Sequence, residues 1–300
     1  MNLSHVHTFL VVVETGNLNK AATKLNVTQS TVTARINALE DVIGQKLLRR
    51  IKSGAELTAA GSKFLRHAQI MVQVWKQARH DTSLPKGFDD VCNFGCVDSL
   101  WPSAGEWWVN SLRAACPTIA LNVQCGNESE NRLWLSNAIV DIAIAYEPPI
   151  TTGFSIDPLF EDVFLEVSTV QRDLVRWDPM YVYVDHGEDF RRWHAGAFPV
   201  DETAIVTFTN SSHALNHILS WGGSAYLPAR IVAQHIQGGR LFEVKDAPRF
   251  SRTCYLARNT SRTSKWPWWD TICKSARNAP YAVDIQRFPN PRLAEVGNIP

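Results

Sequence analysis

Apolar residues recur at helical spacing from the first positions of the chain. Val6, Phe9, Leu10 and Val13 make one stripe, with Ser4 placed to cap it and Gly16 to end it. Ala21, Ala22 and Leu25 make a shorter stripe behind Asn17, closed by an Asn26-Val27 turn. Val32, Ile36 and Leu39 make a third, which starts after Thr28 and stops at Gly44. Thr28 can accept a hydrogen bond from a free first-turn amide, and glycine suits the left-handed residue that ends a helix. Two short helices around a tight turn predict a helix-turn-helix. The polar face of the second carries Gln29, Ser30, Thr31, Thr33, Arg35 and Asn37, groups suited to base edges and phosphates. The alternative is a small α-hairpin in a core, but this face lacks the Glu/Lys alternation of an ordinary solvated surface.

Lys46–Arg50 and Ala55–Thr58 then read as two short strands around a Lys52-Ser53-Gly54 turn, a wing whose basic residues would reach phosphate. A long helix capped by Thr58 follows to about Arg79. Its apolar positions Leu57, Gly61, Phe64, Ala68, Met71, Trp75 and Ala78 step by fours and threes, a heptad seam. Such a seam suits either pairing with a second copy or packing on its own domain. Thr82-Ser83-Leu84-Pro85-Lys86-Gly87 holds the breakers of a hinge.

From Val91 the rhythm changes to alternating strand and helix. Strands are expected at Val91–Val97, Ile119–Gln124, Asp141–Ala145 and Asp162–Ser168, with helices over Trp101–Ala115 and Glu130–Ala138. Further strands are expected at Tyr181–Val184, Ala204–Thr207, Ala225–Leu227, Leu241–Val244 and Thr253–Ala257. Helices are expected over Ser212–Leu219, Pro228–Ile236 and Trp266–Ser275, before a loose proline-containing tail from Asn278. This alternation predicts a mainly parallel α/β sheet with right-handed crossovers.

Three hundred residues with 45% hydrophobic content suit two or three cores. The net charge of +1 hides a split. Residues 1–80 carry 11 Lys+Arg against 4 Asp+Glu, and the remainder carries 19 against 25. A basic front and an acidic back suggest a nucleic-acid module joined to something else. The opening MNLSHVHTFL has no charged segment before an apolar core, and no apolar run is long enough to span a bilayer, so we expect a cytoplasmic chain without membrane partners. The six cysteines form no close ligand pair and are read as reduced. Cys92 and Cys96, four apart on one strand, would lie about 13 Å from each other, too far to bridge. No phosphate loop, nucleophile elbow or metal motif is present, so we expect no catalytic residue, no metal and no cofactor.

The front of the chain closely resembles the amino-terminal signature of LysR-type transcriptional regulators. The matching residues are Ala21-Ala22, Leu25, Thr28-Gln29-Ser30, Val32, Ile36, Leu39-Glu40, Gly44, Leu47 and Arg50, then Leu57-Thr58-Ala59-Ala60-Gly61. The rear matches more sparsely, at Pro117, Leu121, Gly126, Asp141-Ile142-Ala143-Ile144, Pro158-Leu159, Gly222-Gly223 and Leu227-Pro228. Ser99-Leu100-Trp101, Gly187–Phe190 and Trp221-Gly222-Gly223 are similar to the branch containing the repressor of the flagellar master operon, whose target is not carried over.

The resemblance implies a winged helix-turn-helix DNA-binding domain over 1–58, a dimerising linker helix over 59–81 and a hinge over 82–90. A two-lobed effector domain like a type 2 periplasmic-binding protein would follow over 91–300, with lobe I at about 91–161 and 264–300 and lobe II at about 162–263. The DNA-binding residues it implies are Thr28, Gln29, Thr31, Thr33 and Arg35 toward the major groove, with Ser30, Arg49, Arg50, Lys52 and Thr58 on the backbone. Phe64, Ala68, Met71 and Trp75 would form the dimer seam. A small effector would sit between the lobes against Asp98, Ser99, Glu128, Ser129, Tyr146, Phe208, Thr209 and Ser211. Asp98, Glu128 and Glu130 bring acid there and these loops hold no Arg, so a neutral or cationic ligand, or none, is expected rather than a dicarboxylate. Implied partners are promoter DNA with an inverted repeat, a small effector, further copies of the chain as dimer or tetramer, and RNA polymerase. A redox- or ligand-independent repressor of the same fold, or a solute-binding module, are the alternatives.

Overall fold

A computed structural model describes residues 2–52, 54–82, 84, 86–149, 152–174, 178–198, 204–263, 266–276 and 279. Ser53 of the wing turn, Ser83 and Pro85 of the hinge, and the tail from Asn278 apart from Ala279 lie outside the described residues. The chain divides into two compact units, Met1–Lys86 and Gly87–Pro300.

The first unit opens with α1 (Leu3–Thr15), α2 (Leu18–Leu25) and α3 (Gln29–Ile43). Ser4 is not the first cap: the Asn2 side chain accepts from the Ser4 amide. Asn17 accepts from the Asn19 and Lys20 amides, Asn26 ends α2 at φ 52, and Thr28 Oγ1 accepts from the Thr31 amide. Val6, Phe9, Val12, Ala21, Val32, Ile36 and Leu39 are buried together as the unit's core. An antiparallel hairpin of β1 (Leu48–Ile51) and β2 (Gly54–Leu57) forms the wing, and α4 (Ala59–Thr82) follows.

The supposed seam of α4 is divided. Phe64 meets Phe9 edge-on at a centroid separation of 5.4 Å, and Ala68 is fully buried in the same core with Met71 packed beside it. Those three positions therefore serve their own domain, while Trp75 remains 54% exposed. Gly61 permits this packing, because a Cβ there would lie 2.0 Å from the Leu47 carbonyl oxygen.

In the second unit β3 (Asp90–Val97) pairs in parallel with β4 (Ile119–Gly126) on one side and β5 (Ile142–Ala145) on the other. Helices α5 (Glu106–Ala115) and α6 (Glu128–Ser136) make the crossovers. The helix expected from Trp101 starts only at Glu106, since Pro102 is extended and Ser103 sits at φ 74, ψ −65. Asn127 and Glu130 close a reciprocal cap on α6.

The sheet is mixed rather than mainly parallel, because two long strands cross between lobes. β6 runs Phe154–Ser168, eight residues earlier than expected, and β11 runs Phe250–Asn259 antiparallel to it. β11 also pairs with β5, and β9 (Ser224–Pro228) and β10 (Phe242–Glu243) pair with the far end of β6. The second lobe is completed by parallel β7 (Val182–Val184) and β8 (Val206–Phe208), with α7 (Glu188–Ala197), α8 (Ser211–Trp221) and α9 (Ala229–Gln237). Helix α7 went unpredicted. Gly223, at φ 118, lies where a Cβ would meet the Met180 carbonyl at 2.4 Å. Short α10 (Thr260–Thr263) and α11 (Trp269–Ala276) are the last described helices, and Trp108 and Trp269 pack at a tilt, 6.4 Å between centroids, in the first lobe's core.

Candidate nucleic-acid interface and effector cleft

Helix α3 presents Gln29, Ser30, Ala34 and Asn37 to solvent, with Thr33 half-buried between them. Positions 30, 33, 34 and 37 fall on one face of a helix. Thr28 Oγ1 is shared with the hydroxyls of Ser30 and Thr31, both at 2.8 Å, so these three side chains organise the helix start. Arg35 turns away from this ridge: it is half-buried and donates to Thr8 Oγ1 of α1 at 3.4 Å. A helix position one step round from the ridge faces a neighbouring helix, which corrects its expected direction toward the groove.

The wing's cations differ in the same way. Arg49 is paired with Glu56 across the hairpin at 2.7 Å, and Lys46 with Glu40 at 2.7 Å. Arg50 and Lys52 carry no ion pair among the described residues, and Arg50 Nη2 lies 3.4 Å from Thr33 Oγ1. Thr58 Oγ1 donates to the Lys46 carbonyl at 2.6 Å and accepts from the Gly61 amide at 2.9 Å, so its hydroxyl is spent on the wing–α4 joint. A cavity of about 210 Å³ between α3 and the wing is lined by Thr33, Asn37, Glu40, Lys46 and Arg50 among others.

Glu40 organises that joint, although its sequence shows only one acid in a helical pattern. It is 4% exposed, and Oε1 accepts from the Leu47 and Leu48 amides at 2.8 and 3.1 Å. Burial pushes its carboxyl up, but the hydrogen bonds from Lys46 and from these amides outweigh that and hold it below the ordinary value.

In the second unit the expected effector loops are largely engaged with their own fold. Glu128 accepts from the Tyr146 and Glu147 amides at 3.0 and 3.1 Å, tying α6 to the end of β5. Burial, opposed by those amides and by Arg252, raises its carboxyl above the usual range. Asp98 is exposed yet also raised, by partial burial and the Glu130 charge. Ser129 and Thr209 are exposed, Phe208 lies against His217 at 5.4 Å, and Ser211 is buried with its hydroxyl unpartnered among the described residues. Tyr146 is buried and donates to Asp162 Oδ2 at 2.5 Å.

Arginine does reach these loops, from elements far away in sequence, though Arg230 is neutralised by Asp162 and only Arg252 is set against Glu128. Arg252 of β11 lies over the Tyr146 ring, 3.3 Å from its centroid, and donates to the His186 carbonyl at 2.7 Å. Burial holds the His186 ring neutral, at about 3, while its Nε2 meets the Tyr226 carbonyl at 2.8 Å. Arg230 of α9 is paired with Asp162 at 3.1 Å, with both side chains at most 2% exposed. Asp162, Arg230 and Arg252 went unpredicted. Among the described residues no group of three or more His, Cys, Asp or Glu could hold a metal, and no helix is long and apolar enough to cross a membrane.

Comparison with known proteins agrees with this geometry. Residues 3–62 match the family described as bacterial regulatory helix-turn-helix protein, lysR family, and residues 87–265 match the LysR substrate binding domain. The HTH-type transcriptional regulator HdfR of Shigella boydii serotype 18 is 28% identical over 258 residues, covering 85% of this chain and 91% of that protein. The HdfR of Escherichia coli O17:K52:H18 matches to the same extent. The fold resembles CbnR, a LysR family transcriptional regulator, with a TM-score of 0.68 at 18% identity over 95% of this chain and all of that one. It also resembles Vibrio fischeri DarR in complex with DNA, with a TM-score of 0.57 at 20% identity over 93% of this chain and 99% of that one. The chain therefore belongs to the LysR family of DNA-binding transcriptional regulators, with a LysR substrate-binding domain behind its helix-turn-helix.

Proposed function

We propose that this protein acts in the cytoplasm, without catalysis, as a dimer that reads an inverted-repeat promoter site. The observation that carries this is the outward ridge of α3, all hydrogen-bonding groups but for Ala34, flanked by the wing cations Arg50 and Lys52, which form no ion pair among the described residues. Gln29, Ser30, Thr33 and Asn37 are the groups we assign to base edges, where amide side chains pair with adenine and hydroxyls with any base. Arg50 and Lys52 neutralise phosphate, while Thr28, Thr31, Arg49 and Thr58 position the others. Residues 1–58 form the reader, 59–81 the dimerising helix, 82–90 the hinge and 91–300 the effector domain. Trp75 is the exposed anchor of pairing. A small effector in the cleft would shift the lobes and alter how dimers, or a tetramer, sit on DNA beside RNA polymerase.

The test is a genomic pull-down at two salt concentrations, followed by band shifts on the enriched site. An inverted repeat retained at higher salt is expected. Asn37→Ala should relax the preference at one base position, a loss of about 1–3 kcal/mol for the preferred base. Lys52→Ala should weaken all DNA alike and reduce the salt slope by about 1. Arg35→Ala, given the contact with Thr8, should leave base preference unchanged. Enrichment without any shared motif would refute the reading.

A further inference from the structure

Arg230 is the second residue of α9, yet its contacts lie mostly in the first lobe. Nε donates to Asp162 Oδ2 at 3.1 Å, Nη1 to the Pro102 carbonyl at 2.6 Å and toward Ser103 Oγ at 3.4 Å, and Nη2 to the Ser99 carbonyl. The partners are 68, 128, 127 and 131 residues distant in sequence. The guanidinium is a rigid planar fork, and here every nitrogen of it faces an acceptor in a buried site. The same Asp162 oxygen takes the Tyr146 hydroxyl. Two loops expected to meet an effector, after β3 and after β5, thus converge on a cation supplied by the other lobe.

The turn that offers these carbonyls is itself constrained. Ser103, at φ 74, ψ −65, occupies a rare γ-turn conformation that costs energy in a residue with a Cβ. Such a conformation persists where surrounding contacts over-determine it, and Arg230 bonds to this residue and the one before it. Burial alone would favour a neutral guanidine, but the Asp162 and Tyr146 partners more than offset it and keep the group cationic.

We propose that the cleft contains a guanidinium-binding site that the chain fills itself, with Arg230 holding the two lobes together in the absence of any effector. The proposal rests on the reading of this cleft as the regulatory one. With four of its five N–H donors committed, Arg230 keeps a single Nη2 proton and cannot offer an anion the two-pronged fork. A ligand acting here must present its own planar cation, a guanidino or amidino group, to Asp162 and to the Ser99 and Pro102 carbonyls.

Hydrogen exchange of the intact protein, with and without millimolar methylguanidinium, tests this. Arg230→Ala should raise exchange in residues 98–105 at least tenfold, and methylguanidinium should restore protection while methylammonium at equal ionic strength does not. Arg230→Lys keeps the charge and stem but not the fork. It serves if the alanine variant fails to fold, and should raise the same exchange. Unchanged exchange in Arg230→Lys, or equal recovery of the alanine variant by both cations, would overturn the site. Band shifts on the enriched DNA separate the two claims. Raised exchange with an unaltered operator footprint supports the guanidinium site and overturns the regulatory reading beneath it.

Discussion

Replacing Glu40 tests how the reading helix is fixed to the wing. Its carboxylate accepts from the fully buried Leu47 amide, from the partly buried Leu48 amide and from the exposed Lys46 ammonium. Glu40→Ala leaves the Leu47 amide unpaired in the interior, at about 1–3 kcal/mol, and returns the Leu48 amide to water at about 1 kcal/mol. The Lys46 pair adds little, because that ammonium stands in solvent. The sum is about 3 kcal/mol, or roughly a hundredfold increase in local opening. Glu40→Gln keeps an oxygen for both amides and loses mainly charge assistance, about 1 kcal/mol. Exchange rates of the Leu47 and Leu48 amides in the intact protein report this directly. Since the native carboxyl titrates below its ordinary value of 4.5, its contribution is present above that pH and fades as pH falls through the native value. If glutamine were as damaging as alanine, the amide contacts would not be the source. If alanine changed exchange less than threefold, Glu40 would not join helix to wing.

Three further outcomes follow from other sites. Glu166 is buried beside Asp178 and Arg172, and burial pushes its carboxyl up to about 7. The raised value means stability is full below pH 4.5 and falls by about 3 kcal/mol as pH climbs through 7; Glu166→Gln should flatten that decline in thermal melts, and an identical decline would refute it. Trp75→Ala removes an exposed aromatic from α4 and should weaken self-association by about 2 kcal/mol, roughly thirtyfold, in sedimentation equilibrium; an unchanged dissociation constant would move the dimer contact elsewhere. Gly61→Ala drives a methyl into the Leu47 carbonyl and should cost about 1–3 kcal/mol by overpacking, seen as a lower urea midpoint.

The front of the chain was readable because its signals are local. Asn17, Thr28 and Gly44 cap and stop helices through atoms within four residues, so spacing alone reveals them. The α4 stripe could not be apportioned from sequence because a stripe states that a face is buried, not by what; Phe9 of α1 covers Phe64 while Trp75 stays exposed. The start of β6 was missed because Asp157 and Pro158 look like a strand breaker, yet they lie where the ladder to β11 shifts register. Arg35 was expected in the groove and Arg230 was not singled out at all, for one reason. A lone arginine in an amphipathic helix reads as exposed, and only the tertiary fold sets one against Thr8 and buries the other among carbonyls.

The crossing strands have a mechanical consequence. β6 and β11 are hydrogen-bonded to each other from Phe154/Asn259 to Phe164/Phe250, so the lobes are joined by a continuous ribbon and not by slack loops. A ribbon of two strands resists bending across its ladder but yields to torsion. The register skips Leu159 opposite Cys254 and Tyr255, a bulge that locally increases twist. Relative motion of the lobes should therefore be a rotation about the ribbon's length, centred on Leu159 and three residues from Asp162. Small displacements at that carboxylate would sit close to the axis.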